Sequence, residues 1–170
     1  MWGWSEFSNA VIIRAASVPA QMATPTTTID STTGGVKISW TAPANNGNTL
    51  TAYLIEILDL AETTWSTTTH CDGSTSTIFS QRYCIIAMSA LITTPFSLTL
   101  DTLVKVRISA SNAVGFGPVS STNTDGARVR TIPTTMNDPE RGDATTTTSI
   151  EVTWDALVSP LNGNTNILSY

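Results

Sequence analysis

Apolar and polar side chains alternate with a period of two residues between Leu103 and Gly117, and this alternation constrains the fold more than any other feature. The apolar positions are Val104, Val106, Ile108 and Ala110, and the polar positions are Lys105, Arg107, Ser109 and Ser111. This period is that of a β-strand with one buried face and one face in water. Asn112 and Gly115 then end the alternation, which predicts a turn before Pro118. The chain therefore needs a core built from β-sheets.

The sequence repeats itself over an interval the size of a domain. The segment VKISWTAPANNGN at 36–48 recurs as IEVTWDALVSPLNGN at 150–164. The same offset of 114 residues relates three pairs of residues, which are Trp40 and Trp154, Pro19 and Pro133, and Met22 and Met136. Upstream, Gly3-Trp4 aligns with Gly115-Phe116 at an offset of 112 residues. Self-similarity at a fixed period indicates tandem copies of one structural unit.

The repeat divides the chain into three parts. Residues 1–20 are expected to hold the last strand of a first domain, 21–131 a complete domain and 132–170 the first strands of a third, because a sandwich domain takes about 100 residues. We expect the chain to be a segment of a longer array, since half-domains with unpaired strands would aggregate. The alternative is a chain that ends in this way and completes its neighbours.

Within 21–131 the pattern predicts a series of strands and no helix. Trp40 ends a strand that begins at Val36 and points inward, and Tyr53 lies with Ile55 on one face of the next strand. Further strands are predicted at Leu50–Leu58, around Trp65, at Cys84–Met88 and, as a polar edge strand, at Val119–Arg130. Because no window keeps a period of 3.6 residues, AMSALI before Pro95 is expected to form no more than a turn.

Seven positions align with the signature L-x-x-x-x-x-Y-x-F-x-V-x-A-x-N-x-x-G of fibronectin type III domains, with a departure at Val104. They are Leu98, Val104, Val106, Ile108, Ala110, Asn112 and Gly115. The chain thus resembles tandem fibronectin type III domains, which implies an all-β fold of immunoglobulin-like sandwiches, one complete and two partial. The expected core residues are Trp40, Tyr53, Val106, Ile108 and Trp154. Val104 stands where the family has a tyrosine whose hydroxyl ties the corner, so another contact must hold that corner.

Two cysteines, Cys71 and Cys84, lie in a connection that is longer than the family's usual one. An even pair in a threonine-rich, sandwich-like chain favours a disulfide and an oxidising compartment. Closing this loop would stabilise the domain by about 3 kcal/mol, which could offset the missing tyrosine. Two buried free thiols are the alternative. With His70 as the single histidine, a structural zinc would be one ligand short, so no metal and no cofactor are expected.

Charge and composition bear on partners and on catalysis. Charged residues make up 12% of the chain and the net charge is −5, so no basic stripe exists for nucleic acid. No apolar run approaches the about 20 residues needed for membrane insertion. No Ser-His pair can form without a histidine beyond His70, and adjacent strand residues such as His70 and Cys71 face opposite ways. The chain is therefore predicted not to be an enzyme.

Two groups of residues are candidates for contacts outside the domain. Trp2, Trp4 and Phe116 near the last turn, with Pro19 and Pro133 at the joints, are candidate interdomain contacts, although packing within a domain would equally suit such aromatics. Arg141, Gly142 and Asp143 form the tripeptide with which fibronectin-like adhesion proteins engage integrins. In that family the tripeptide lies at the tip between the last two strands, whereas here it precedes a second strand. A solvated polar loop is the favoured interpretation.

The function implied by the resemblance is structural. The cysteine pair and the Gly3-Trp4-Ser5 turn resemble the repetitive extracellular or surface proteins of unicellular eukaryotes. The chain would then be a segment of a large extracellular tandem-repeat protein that serves spacing, adhesion or assembly of a fibre. Its partners would be neighbouring repeats and other copies of the same protein. The alternatives are the ligand-binding ectodomain of a surface receptor and a passive spacer in a secreted enzyme that degrades polysaccharides.

Overall fold

The computed structural model describes residues 2–12 and 15–170. The strands of the described chain are β1 Thr26–Ile29, β2 Val36–Ser39, β3 Leu50–Leu58, β4 Trp65–Ser66, β5 Tyr83–Ile86, β6 Val106–Asn112, β7 Gly115–Phe116, β8 Glu140–Arg141 and β9 Val152–Thr153. Helix α1 spans Ser76–Gln81, helix α2 spans Met88–Leu91, and Thr69–Cys71 forms a 3-10 turn.

Seven of these strands form two antiparallel sheets. One sheet has the order β1-β2-β5 and the other has the order β4-β3-β6-β7. Alternate residues of both sheets point into one core, which makes the fold a β-sandwich. The predicted β-sandwich is therefore confirmed.

The two longest strands form the middle of the larger sheet. Strand β3 pairs with β6 so that Ile55 lies opposite Ile108 and Ile57 opposite Val106, and all four side chains are buried. Trp40 is 7% exposed and packs edge-on against Tyr53 at 5.4 Å between ring centroids. The inward face that the alternation predicts is thus the face that fills the core.

The corner at Val104, which has no tyrosine, is held by Asn123. The side-chain oxygen of this buried residue accepts a hydrogen bond from the N–H of Val106 at 2.7 Å. Its amide nitrogen donates to the carbonyl oxygen of Val104 at 3.0 Å and contacts the hydroxyl of Thr27 in the opposite sheet at 3.4 Å. One side-chain amide therefore takes the place of a peptide group of a neighbouring strand and also links the two sheets.

Because Asn123 replaces backbone pairing, the predicted edge strand Val119–Arg130 is not regular. After β7, the N–H of Ser120 donates to the carbonyl of Ile108, and the hydroxyl of Ser120 accepts a hydrogen bond from the N–H of Ile108. Farther on, Ala127 donates its N–H to the carbonyl of Thr27 on β1. Ala127 also accepts from the N–H of Val104, so the segment contacts the edges of both sheets.

Two other predictions of local structure were wrong. Strand β5 runs from Tyr83 to Ile86 rather than from Cys84 to Met88, because Met88 already begins helix α2. Helix α1 was not predicted, since six residues are too few to show a helical period. Its partly buried Phe79 lies 5.4 Å from the ring of Tyr53, so contact with the core rather than an amphipathic pattern holds this helix.

The connection with the cysteines closes the other side of the sandwich. Cys71 and Cys84 form the predicted disulfide, with both side chains buried and their Cα atoms 5.3 Å apart. Next to the bond, Gly73 accepts at its carbonyl from the N–H of Tyr53 and so covers the edge of β3. The edges of both sheets are covered at Thr27 and Tyr53.

Residues 132–170 contain a two-stranded hairpin of β8 and β9. Trp154 follows β9 and is 53% exposed, near Tyr170 at 6.3 Å between ring centroids. The prediction that Trp154 is buried between two sheets was wrong for the described chain, since no second sheet faces this hairpin there. The division of the chain at residues 20 and 131 stays a prediction.

Candidate interdomain joints

The first joint consists of residues 15–21, which lead into the sandwich and are fastened to its β2–β3 loop. Ser17 donates its N–H to the carbonyl of Asn46 at 3.1 Å, and Ala20 donates to the carbonyl of Ala44 at 3.0 Å. In return, the side-chain amide of Asn46 donates to the carbonyl of Val18 at 2.8 Å. Three hydrogen bonds within four residues leave this segment little conformational freedom.

Asn112, at the end of β6, connects this joint to the following turn. Its side-chain nitrogen donates to the carbonyl of Ser17 at 2.8 Å and to that of Asn45 at 3.2 Å. Its side-chain oxygen accepts the N–H groups of Val114 and Gly115. The asparagine of the fibronectin-like signature therefore holds the incoming chain, the β2–β3 loop and the β6–β7 turn together.

The second joint consists of residues 129–134, which lead out of the sandwich. Val129 is still bound to it, because its N–H donates to the carbonyl of Thr102 at 2.9 Å. Thr131 already donates to the carbonyl of Gly163 at 3.2 Å, and Thr134 donates to that of Leu161 at 2.9 Å. Between the last bond to the sandwich and the first bond to the following segment lies a single residue, Arg130.

The two joints share a bonding pattern that follows the internal repeat. Ser17 and Thr131 are 114 residues apart, as are Ala20 and Thr134. Ser17 and Ala20 donate their N–H groups to the loop before β3. Thr131 and Thr134 donate theirs to the corresponding loop of the following segment. The loops themselves correspond through Asn-Gly-Asn, which occurs at 46–48 and again at 162–164. The recurrence indicates that the pattern is a property of the repeat and not of one position.

A further contact spans the second joint. The side-chain amide of Asn164 donates to Oδ1 of Asp101 at 2.9 Å. Asp101 lies in the turn before β6, and Nη1 of Arg128 donates to its backbone carbonyl at 2.6 Å and lies 3.8 Å from its Oδ2. Neither Asp101 nor Asn164 was singled out from the sequence. The repeat of Asn-Gly-Asn is the sequence feature that points to Asn164, whereas no sequence pattern points to Asp101.

The predicted interdomain residues lie in different environments. Pro19 is fully buried, and its carbonyl packs against Gly117, where a Cβ atom would collide with it. Pro133 is exposed, and Phe116 is 55% exposed. Trp2 and Trp4 are fully exposed and contact neither the sandwich nor another part of the described chain. Pro19 and Pro133 thus lie in the two joints, and of this group Pro19 alone is buried there.

The Arg-Gly-Asp tripeptide lies at the base of the β8–β9 hairpin. Arg141 pairs with Val152, and the N–H of Gly142 donates to the carbonyl of Glu151 at 2.9 Å. The carboxylate of Glu151 also packs against Gly142 and accepts the N–H of Ala144. The tripeptide therefore begins in a strand and does not form the tip of the loop.

Three turns of the sandwich are closed by aspartates. In each, hydroxyl and backbone N–H groups of residues two to five positions later donate to the carboxylate, which lowers its pKa. These contacts are from Thr33 to Asp30, from Thr64 and Thr63 to Asp59, and from Ser74 to Asp72. All three carboxylates are at the surface, so they order turns and do not form a reactive site.

Two further features bear on function. Across residues 2–12 and 15–170 there is no group of three or more His, Cys, Asp or Glu side chains that could hold a metal ion. Among the same residues, no helix has the length and apolar character to cross a membrane. The prediction that the chain is not an enzyme stays a prediction.

No protein-family model matches the sequence, and a comparison with curated proteins finds no match. Among solved structures, domains A168–A170 of titin are 17% identical with a TM-score of 0.43, over 66% of this chain and 34% of that one. A structure of titin kinase and its flanking domains is 18% identical with a TM-score of 0.43, over 64% and 17%. The chicken CNTN1 FN1–FN3 domains are 17% identical with a TM-score of 0.48, over 85% and 46%. The chain thus spans less than half the length of each.

Proposed function

We propose that this chain is a spacer segment of an extracellular tandem-repeat protein, in which successive repeats are held in a defined orientation. The observation that carries the proposal is the joint at Arg130. The hydrogen bonds of Val129 and Thr131 leave this one residue between the sandwich and the segment that follows. One unbonded residue contributes two backbone dihedral angles, so its flexibility is far below that of a linker of several residues.

The disulfide supports the extracellular location. Such bonds persist in oxidising environments and are rare in the cytosol, where thiols are kept reduced. Cys71 and Cys84 are buried in the core, and their bond fastens the long connection to β5. A secreted or surface-exposed protein is the setting in which this bond contributes to stability throughout the protein's lifetime.

The covered edges favour end-to-end spacing over lateral assembly. Adding a strand from another copy requires free backbone groups at the edge of a sheet. At Thr27 the edge carbonyl is taken by Ala127, and at Tyr53 the edge N–H is taken by Gly73. The partners proposed are therefore the neighbouring repeats, which meet the sandwich at its two joints.

The proposal is tested by measuring a distance across the second joint. Spin labels are attached to cysteines introduced at Ser121 and Thr147, which are exposed and lie on opposite sides of Arg130. Pulsed electron resonance then gives the distribution of distances between the labels. A stiff joint predicts a single narrow distribution. A matched variant with Gly-Ser-Gly inserted after Arg130 is expected to broaden it, because glycine and serine form flexible linkers.

A distribution in the unaltered chain as broad as that of the insertion variant would refute the proposal. The native disulfide must be intact in every sample, which non-reducing mass analysis verifies, so that the labels report only on the introduced cysteines. A variant with both labels on the sandwich, at Ser121 and Thr63, controls for the motion of the labels themselves.

A further inference from the structure

We propose that the hydrogen bond between Asn164 and Asp101 sets the orientation of the following repeat relative to the sandwich. This inference deepens the proposed function and rests on it. The bonds on either side of Arg130 limit the position of the following segment but leave the two dihedral angles of that residue free. A second point of attachment is needed to remove this freedom. The Asn164–Asp101 contact is such a point, because it joins the two sides of the joint away from Arg130.

Contacts with Arg128 orient the carboxylate of Asp101 towards Asn164. Arg128 lies near Oδ2 at 3.8 Å and donates to the backbone carbonyl of the same residue at 2.6 Å, which leaves Oδ1 directed to Asn164. Both Asp101 and Asn164 have a left-handed backbone, with φ of 65° and 58°. Asn and Asp tolerate this conformation better than other side chains with a Cβ atom. Asp101 and Asn164 therefore suit their positions in two respects, since each tolerates the left-handed backbone and each supplies one partner of the hydrogen bond.

The test exchanges donor and acceptor without changing the shape of either side chain. In Asn164→Asp a carboxylate faces the carboxylate of Asp101, and like charges at this distance are expected to lower the ratio of closed to open joints by at least about fivefold. In the double variant Asp101→Asn with Asn164→Asp, an amide again faces a carboxylate. The double variant is therefore expected to restore the narrow distance distribution between labels at positions 121 and 147.

The matched control is Asn166→Asp, which adds the same charge two residues farther along at an exposed position. It is expected to leave the distribution narrow, whereas a general effect of charge would broaden it as much as Asn164→Asp does. Thermal melting of each variant shows whether the sandwich is intact, and its midpoint is expected to stay unchanged.

The outcomes separate this inference from the proposed function. A narrow distribution in the unaltered chain that stays narrow in Asn164→Asp would overturn the inference and leave the stiff joint standing. A double variant as broad as Asn164→Asp would also overturn it, because restoring the donor and acceptor would then have no effect. A broad distribution in the unaltered chain would overturn both.

Discussion

Replacing Asn123 by alanine is expected to destabilise the sandwich more than its small loss of volume would suggest. The substitution removes the partners of two buried backbone groups, the N–H of Val106 and the carbonyl of Val104. It also removes the contact with the hydroxyl of Thr27 in the opposite sheet. The hydrogen bonds of Ala127 to Val104 and Thr27 would then be the polar contacts that remain at this corner.

The size of the effect follows from these two groups. A buried polar group left without a partner costs about 1–3 kcal/mol, so the pair is expected to cost about 2–6 kcal/mol. The total stability of a domain is about 5–15 kcal/mol. A loss of this size in a domain of about 100 residues lowers the melting temperature by about 10 °C or more. Asn123→Ala should therefore have an effect comparable to a large truncation in the core.

Thermal and urea denaturation followed by circular dichroism, with the disulfide intact, measures this effect. Asn123→Leu fills the volume but provides no hydrogen bonds, and we expect it to be as unstable as Asn123→Ala. Thr124→Ala, at the neighbouring exposed position, is the control and should melt like the unaltered protein. If Asn123→Leu melted like the unaltered protein, the hydrogen bonds to Val104 and Val106 would not be what holds the corner.

Three further predictions concern the core, the disulfide and a surface turn. Trp40→Ala should cost about 3–5 kcal/mol in urea denaturation because it empties the space beside Tyr53; an unchanged midpoint would contradict this. The paired variant Cys71→Ser with Cys84→Ser should lose about 3 kcal/mol, and equal stability of the oxidised and reduced protein would count against it. Hydrogen bonds lower the pKa of Asp59 below 3.8 on folding, so its carboxylate stabilises the fold above that pH and this contribution is lost as the pH falls through the lower value. Asp59→Asn should therefore flatten the acid side of the stability profile, and an unchanged profile would refute this.

The parts of the fold that the sequence predicts are those with a repeating pattern. Strand β6 can be predicted because its three alternate apolar residues face one core, and the inward side of Trp40 follows from the same period. The pairing of Cys71 with Cys84 can be predicted from the sequence because two cysteines allow a single intramolecular bond. These features depend on short-range periodicity or on counting, both of which can be read from one sequence.

The remaining features depend on contacts between distant residues. Asn123 reaches Thr27 over 96 positions, and no local pattern shows that its amide replaces a strand. Helix α1 is too short for a helical period, and Phe79 holds it through the core. Trp154 has the same local pattern as Trp40, but burial needs a facing sheet and not only an inward position in a strand. Pro19 and Pro133 mark the joints in the sequence, whereas the geometry of each joint depends on backbone hydrogen bonds to a loop about 30 residues away.

The backbone order parameter of Arg130, measured by ¹⁵N relaxation on the whole chain, tests the stiff joint most directly. Arg130 is the residue without a bond to either side, so any motion of the joint on the picosecond to nanosecond timescale must appear there. We expect a value of about 0.85, equal to those of Val129 and Thr131, as in rigid backbone. A value below about 0.6 at Arg130, with rigid neighbours on both sides, would show a free hinge and refute the stiff joint.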